Sequence, residues 1–188
     1  MLTRRFLLAA VPVWLSAAPA RAFARSTGAA RSEPIALVVI HSTGGPTCDP
    51  KSQQAVWVGA GTLDESLRNI QAHPVLGIHY MIDRDGTTRS SVPESQVAHH
   101  VYRFSGRSIA VELINDGDGV DPFPETQLNA LVALLLDIKE RRGVKRSGVV
   151  RHSDLDLGRL PCDRSKRRKV DPGSAFPYQL VLDRVFPP

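Results

Sequence analysis

Cysteine is scarce in this 188-residue sequence, and that scarcity excludes a class of architectures. With only Cys48 and Cys162 there is no disulfide framework and no cysteine-rich zinc knuckle. The pair suits an oxidising compartment and leaves two readings open, one bridge or two free thiols. Each lies a few residues beyond a histidine that ends a strand, Cys48 after His41 and Cys162 after His152, so the fold can bring them together. Beyond the first few dozen residues no apolar run is long enough to cross a bilayer, so no stable membrane insertion is expected of the mature chain. No segment repeats at a solenoid period. Aromatic residues make up 6% of the chain, and the one dense basic run, Arg164 to Lys169, has none interleaved. A surface that stacks bases is therefore not expected, and neither is nucleic acid as a partner.

What is present is 42% hydrophobic and 23% charged residues, enough for a single globular domain with a buried core. Arg4 and Arg5 precede an apolar run from Phe6 to Ala18, and Ala20-Arg21-Ala22 supplies small residues for cleavage. Residues 1–22 are read as a signal peptide, with Arg4-Arg5 suggesting a twin-arginine type, and residues 23–34 as a flexible lead-in. The expected location is thus the periplasm or cell envelope of a bacterium. Loss of Arg4, Arg5 and Arg21 lowers the formal charge from +5 to +2, so the high pI says little about partners.

The unbroken apolar run Ile35 to Ile40 predicts a strand buried on both faces and ending at His41, with Ser42 to Pro46 as loop. Thr62-Leu63-Asp64-Glu65 predicts a capping box opening a short helix that stops by His73-Pro74. Gly77 to Val92 predicts a hairpin around a tight primed turn at Asp85-Gly86. Ile109 to Ile114 predicts another buried strand. A long helix follows, started by Pro124, striped by Leu128, Leu131, Val132, Leu135 and Ile138, and stopped by Gly143. Gly148 to Arg151 predicts a short strand delivering His152, and Phe176 to Val185 a last helix. Alternation of strands and helices implies an α/β fold, a single mixed β-sheet flanked by helices on both faces.

His41 and His152 each close a strand, and Asp171 lies in the turn Val170-Asp171-Pro172-Gly173. Two imidazoles and a carboxylate make a three-ligand set with an open fourth position, the pattern by which hydrolytic zinc sites keep a water. A lone histidine at a strand end is ordinarily a satisfied core residue, and it is the company that points to a metal. Glu112 interrupts an apolar run, where burial costs several kcal/mol unless it is paired; it faces either solvent from an edge strand or a polar pocket. Apolar same-face neighbours Ala110 and Ile114 favour the pocket.

Five stretches in order carry a resemblance: Ile40-His41-Ser42-Thr43, Gly77 to Thr87, Ser108 to Asn115, Arg151-His152-Ser153-Asp154, and Arg168 to Phe176. Together they resemble the type 2 N-acetylmuramoyl-L-alanine amidase family, which includes anhydro-muropeptide amidases, T7-type lysozyme and peptidoglycan recognition proteins. The resemblance implies a zinc amidase domain over residues 35–188 that cuts the lactyl amide between muramic acid and L-alanine in peptidoglycan or muropeptides. It implies one zinc ion held by His41, His152 and Asp171, with Glu112 as general base and Lys169 stabilising the oxyanion. Thr43, His100, Asn115 and Arg168 are then the expected substrate contacts. Recognition proteins and the phage lysozyme carry a catalytic tyrosine where this chain has Ile78, so the resemblance gives that role to Glu112, as in the anhydro-muropeptide branch; Tyr80 is expected in the core, and His73 and His79 are expected to be structural. Leu157 to Arg168 looks longer than its family counterpart. The competing expectation is a peptidoglycan-binding module on the same fold that does not cut.

Overall fold

The computed structural model describes residues 28–188, so the expected leader at 1–22 and residues 23–27 lie outside the described residues. Five strands form one sheet in the order β5-β4-β6-β1-β7. They are β1 (Leu37–Ser42), β4 (Tyr80–Ile82), β5 (Thr88–Ser90), β6 (Ser108–Leu113) and β7 (Val149–Arg151). β4, β6, β1 and β7 run parallel and β5 pairs antiparallel to β4, which makes the sheet mixed as expected.

Alternation along the strands sorts side chains onto two faces. Val38 and Ile40 of β1 join Ile109, Val111 and Leu113 of β6 against α2 (Glu125–Arg142) and α4 (Tyr178–Val185). Ala110 and Met81 point the other way, against Leu63 and Leu67 of α1 (Leu63–Ala72). Helices thus cover both faces. On the α1 face the two central strands turn polar at their C-terminal ends, where His41 follows Val39 and Glu112 follows Ala110.

The helix signals act locally, as expected. Thr62 Oγ1 accepts from Glu65 N at 3.2 Å while Thr62 N donates to Glu65 Oε2 at 2.9 Å, the reciprocal capping box. α2 begins after Pro124 and ends at Gly143, whose φ of 67° is left-handed. Gln127, fully buried, donates its Nε2 to the carbonyls of Ile82 and Ile114 and so ties α2 to the exits of β4 and β6. Among the described residues, no helix is long and apolar enough to cross a membrane.

Three expectations give way. The loop after His41 is partly strand: β2 (Gly45–Cys48) pairs antiparallel with β3 (Ala55–Val58) as a separate hairpin. Gly-Pro-Thr-Cys has no β-branched alternation, so only its partner strand reveals it. The turn between β4 and β5 is not a primed two-residue turn, since Gly86 alone takes positive φ (89°) and Asp83 N donates to Thr87 O across a longer loop. Finally, residues 28–34 are not a free lead-in. Ala30 bridges Gln96, and the Arg31 guanidinium donates to the carbonyls of Glu94, Gln96, Ser105, Gly106 and Ser108 at 2.6–3.2 Å. A fork of five donors satisfies otherwise orphaned loop carbonyls, which is why this polar stretch is held.

Candidate metal centre and active site

Parallel pairing brings the C-terminal ends of strands to one edge of a sheet, and there the register decides who meets whom. His41 pairs with Glu112 across β1 and β6, and Met81 pairs with Glu112 across β4 and β6. On the other side of β1, Ile40 pairs with Arg151, so His152, the first residue of the short helix α3 (His152–Leu155), starts beside His41. Their ring centroids are 4.4 Å apart. Asp171 arrives from the expected turn, closed by Gly173 N donating to Val170 O at 3.0 Å. Ser153 N donates to the Asp171 carbonyl at 3.0 Å and pins that turn to α3.

The three candidate ligands are buried, and one donor atom from each lies within 4.8 Å of the others. His41 Nδ1 and His152 Nδ1 approach the same carboxylate oxygen, Asp171 Oδ2, at 3.2 and 2.9 Å. The proton arrangement around His41 can be worked out from its neighbours. Ser108 Oγ donates to the Phe104 carbonyl at 2.8 Å, since a carbonyl can only accept. Ser108 Oγ therefore accepts from His100 Nε2–H at 2.9 Å, and His100 Nδ1 is left to accept from His41 Nε2–H, also at 2.9 Å. His41 Nδ1 then presents a lone pair towards Asp171 Oδ2 and His152 Nδ1. With its proton on Nε2, His41 Nδ1 and the Asp171 Oδ2 it faces at 3.2 Å are both acceptors, which repel unless a cation lies between them, so the donor set fits a divalent metal, and the second-nitrogen hydrogen bond is the usual support of a metal-bound imidazole.

The electrostatics agree. Burial lowers the His41 pKa to about 4, against the opposing pull of Asp171, so the ring is neutral at physiological pH. Burial alone would raise the Asp171 carboxyl, but contacts with His152 and His41 hold it well below the usual carboxylate range. Glu112 lies on the floor of the same cleft, and burial, with Asp171 adding to it and Lys169 opposing, pushes its pKa up to about 8. Lys169 lines the cleft too. The cleft encloses about 440 Å³, within the range of small-ligand sites.

The expected substrate contacts divide. Thr43 lines the cleft, and its hydroxyl is shared with the backbone of Leu113 and Asn115. Arg168 lines it as well, with its guanidinium paired to Asp156 at 2.8 Å. Asn115 departs from expectation: it is 1% exposed, its Nδ2 donates to the carbonyls of Asp121 and Pro122, and its Oδ1 accepts from Gly117 N. It shapes the loop after β6 and is not among the residues lining the metal-site cleft. His100 has both nitrogens engaged, by His41 and Ser108, so it supports a ligand where a substrate contact was expected. Ser108 was missed altogether; a hydroxyl at the start of a buried strand was the available signal. Cys48 and Cys162 are bridged, with Cα atoms 5.9 Å apart, tying the β2–β3 hairpin to the loop that leads into Lys169 and Asp171. His79 is structural: Nδ1 accepts from Ala110 N at 3.0 Å and Nε2 donates to the Gln96 carbonyl at 3.2 Å. Tyr80 packs at the core edge and donates to Glu94 Oε1 at 2.7 Å. His73 Nδ1 accepts from Val75 N and Leu76 N, a turn contact.

Sheet and cluster together define the class: mixed-sheet proteins in which two histidines from parallel-strand exits and a carboxylate from a nearby turn converge as a candidate metal site. The family profile described as N-acetylmuramoyl-L-alanine amidase (Amidase_2) matches residues 31–174, and the chain belongs to that family, the type 2 amidases and peptidoglycan recognition proteins. The chain is 35% identical over 108 residues to N-acetylmuramoyl-L-alanine amidase AmiD of Escherichia coli, a match covering 50% of this chain and 36% of that protein. The solved complex of the E. coli AmiD amidase with the substrate anhydro-N-acetylmuramic acid-L-Ala-D-gamma-Glu-L-Lys superposes with a TM-score of 0.62 at 26% identity, covering 83% of this chain and 60% of that one. Drosophila PGRP-LB shares the fold, with a TM-score of 0.57 at 19% identity over 83% of this chain and 89% of that one. The chain thus spans about a third of the length of its E. coli relative.

Proposed function

We propose that this protein is a zinc-dependent N-acetylmuramoyl-L-alanine amidase, hydrolysing the amide between the muramic acid lactyl group and L-alanine in peptidoglycan or muropeptides. The observation that carries this reading is the convergence of His41 Nδ1, His152 Nδ1 and Asp171 Oδ2 with Glu112 in the adjoining register position. His41, His152 and Asp171 would hold the zinc ion, which when bound would supply a Lewis acid for the amide carbonyl and make the attacking water more acidic. With a cation held beside it, the buried Glu112 carboxyl would ionise at lower pH than it does alone, and as the carboxylate it takes a proton from the attacking water and returns it to the departing alanine nitrogen. Lys169, whose charge is felt at both His41 and Glu112, offsets negative charge on the amide oxygen as the tetrahedral intermediate forms. His100 and Ser108 hold His41 in the required tautomer.

A module that only binds peptidoglycan has no use for Glu112, whose placement on the cleft floor carries a desolvation cost, and this favours hydrolysis. The AmiD complex with a muropeptide supports the substrate class. The Cys48–Cys162 bridge and the apolar run after Arg4-Arg5 support export to the periplasm or cell envelope.

The test is mass spectrometry of products from defined muropeptides. Wild type should release a stem peptide with a free L-alanine amine, chelator should stop the release, and zinc should restore it. Glu112→Gln should keep its metal content and lose about 10²–10⁴-fold in turnover. Cleavage indifferent to chelator, or parental turnover in Glu112→Gln, would overturn the assignment.

A further inference from the structure

Trp57, in β3, is the only tryptophan among the described residues and stays 45% exposed. Its indole N–H is already donated to the Asp116 carbonyl at 2.8 Å, so the surface left to solvent is the ring itself, aimed and fixed. The pairing of Trp57 with Pro46 and the Cys48–Cys162 bridge at the end of β2 hold the hairpin that carries it.

The ring borders a hollow whose other walls include Gly117, Gly119, Gly173 and Lys169. These glycines keep the hollow's floor bare. Gly117 and Gly119 have φ of 63° and 85°, and a Cβ on Gly119 would meet Ser174 Oγ at 2.5 Å. A Cβ on Gly173 would meet the Gly117 carbonyl at 2.6 Å. At Gly173 an added side chain would press on backbone, at Gly119 it would displace the Ser174 hydroxyl, and at both the positive φ strains any other residue. Asp118 stands between the two loop glycines, its Oδ1 fixed by Val120 N and Asp121 N at 2.8 Å. Lys169 lines this hollow and the metal-site cleft, so the two adjoin.

A fixed aromatic face beside a floor of bare backbone, with a carboxylate between the glycines, suits a ring that is apolar on its faces and polar at its edge. That is the chemistry of a pyranose, whose C–H groups lie on an aromatic face while its hydroxyls reach backbone and carboxylate groups. We propose that Trp57 and the Gly117–Gly119 loop form a saccharide subsite beside the metal centre, holding a sugar of the substrate's glycan strand next to the muramic acid under attack. The proposal rests on the amidase reading above and extends it to the substrate's size: the protein acts on glycan strands in preference to single-sugar muropeptides.

Binding and turnover are read separately, in full-length protein carrying Trp14→Phe so that the fluorescence is that of Trp57 alone. Titration with a chito-oligosaccharide should shift Trp57 emission saturably, and titration with a sugar-free stem peptide should not. Trp57→Ala should lower kcat/KM about five- to tenfold on strand-length peptidoglycan and less than twofold on a single-sugar muropeptide, with Trp57→Phe retaining most of the strand activity. Equal losses on both substrates, no loss on either, a response to the peptide alone, or self-association lost on substitution would each overturn the subsite. Should wild type cut no amide while the sugar response persists, the amidase reading falls and the saccharide site stands.

Discussion

At the scale of single residues, the site turns on which nitrogen of His41 carries the proton. The Phe104 carbonyl orients Ser108, Ser108 orients His100, and His100 receives the His41 Nε2–H, which turns the Nδ1 lone pair inward. Supporting contacts of this kind typically contribute 10–100-fold in metal affinity. His100→Ala should therefore weaken zinc binding about 10–100-fold in chelator competition, and Ser108→Ala should weaken it by less. Unchanged affinity with a raised KM in His100→Ala would restore the substrate role that the sequence suggested. His41, His152 and Asp171 are recognisable in the sequence because the two histidines come at the close of short apolar strand runs and the aspartate lies in a turn, positions marked by their immediate neighbours. The role of His100 is not, because it depends on a partner 59 positions away. Asn115 shows the reverse, since the resemblance made it an expected substrate contact while its amide is consumed by the loop it closes.

At the scale of elements, the β2–β3 hairpin and the loop before Lys169 are joined by the Cys48–Cys162 bridge, which closes a loop of 114 residues. A cross-link over so long a span restricts the unfolded chain strongly, a contribution of about 2–4 kcal/mol in typical cases. Cys48→Ser combined with Cys162→Ser should lower the unfolding free energy by about 3 kcal/mol in denaturant titrations, with reductant producing a similar loss in wild type and none in the double variant. A wild type indifferent to reductant would mean the bridge contributes nothing. Helices α1 and α2 were legible because a capping box, Pro124 and Gly143 act within a few residues of themselves, whereas the single-turn α3 was not foreseen. The hairpin was not, because Gly45–Cys48 becomes a strand only by pairing with Ala55–Val58.

At the scale of the whole molecule, two buried ionisable groups away from the metal site add to the response to acid that the buried histidines of the site already give. His79 is fully buried and its pKa is lowered to about 4, chiefly by burial, with the Gln96 carbonyl opposing and Arg31 adding. Glu94 is held down at about 2: burial raises it, and Arg141, Tyr80 and Arg142 outweigh that. Both folded values lie below the unfolded ones, so the unfolded chain binds more protons as pH falls, and stability is full above about pH 6.5. It should decline from roughly pH 6.5 towards 4 through His79, by ~3 kcal/mol, and further from roughly 4.5 towards 2 through Glu94. Glu94→Gln should remove the lower part of this decline and cost about 2 kcal/mol at neutral pH, because Arg141 and Arg142 lose a half-buried partner. Thermal melts of both proteins across pH, in the presence of zinc, check this; parallel curves would refute it.

Residue order was enough to set the elements and the kinds of chemistry on offer: buried strands from apolar runs, helices from stripes and caps, and histidines and a carboxylate set at element ends. Those features are short-range, since periodicity and turn geometry are decided by residues a few positions apart. The folded chain was needed for the sheet order, the register that sets Glu112 beside His41, the cysteine pairing, the anchoring of Arg31 and the duty of each imidazole nitrogen. Each of these is a contact between distant segments, His41 and Asp171 being 130 positions apart, and burial and hydrogen-bond satisfaction select it only once the whole chain has closed around it.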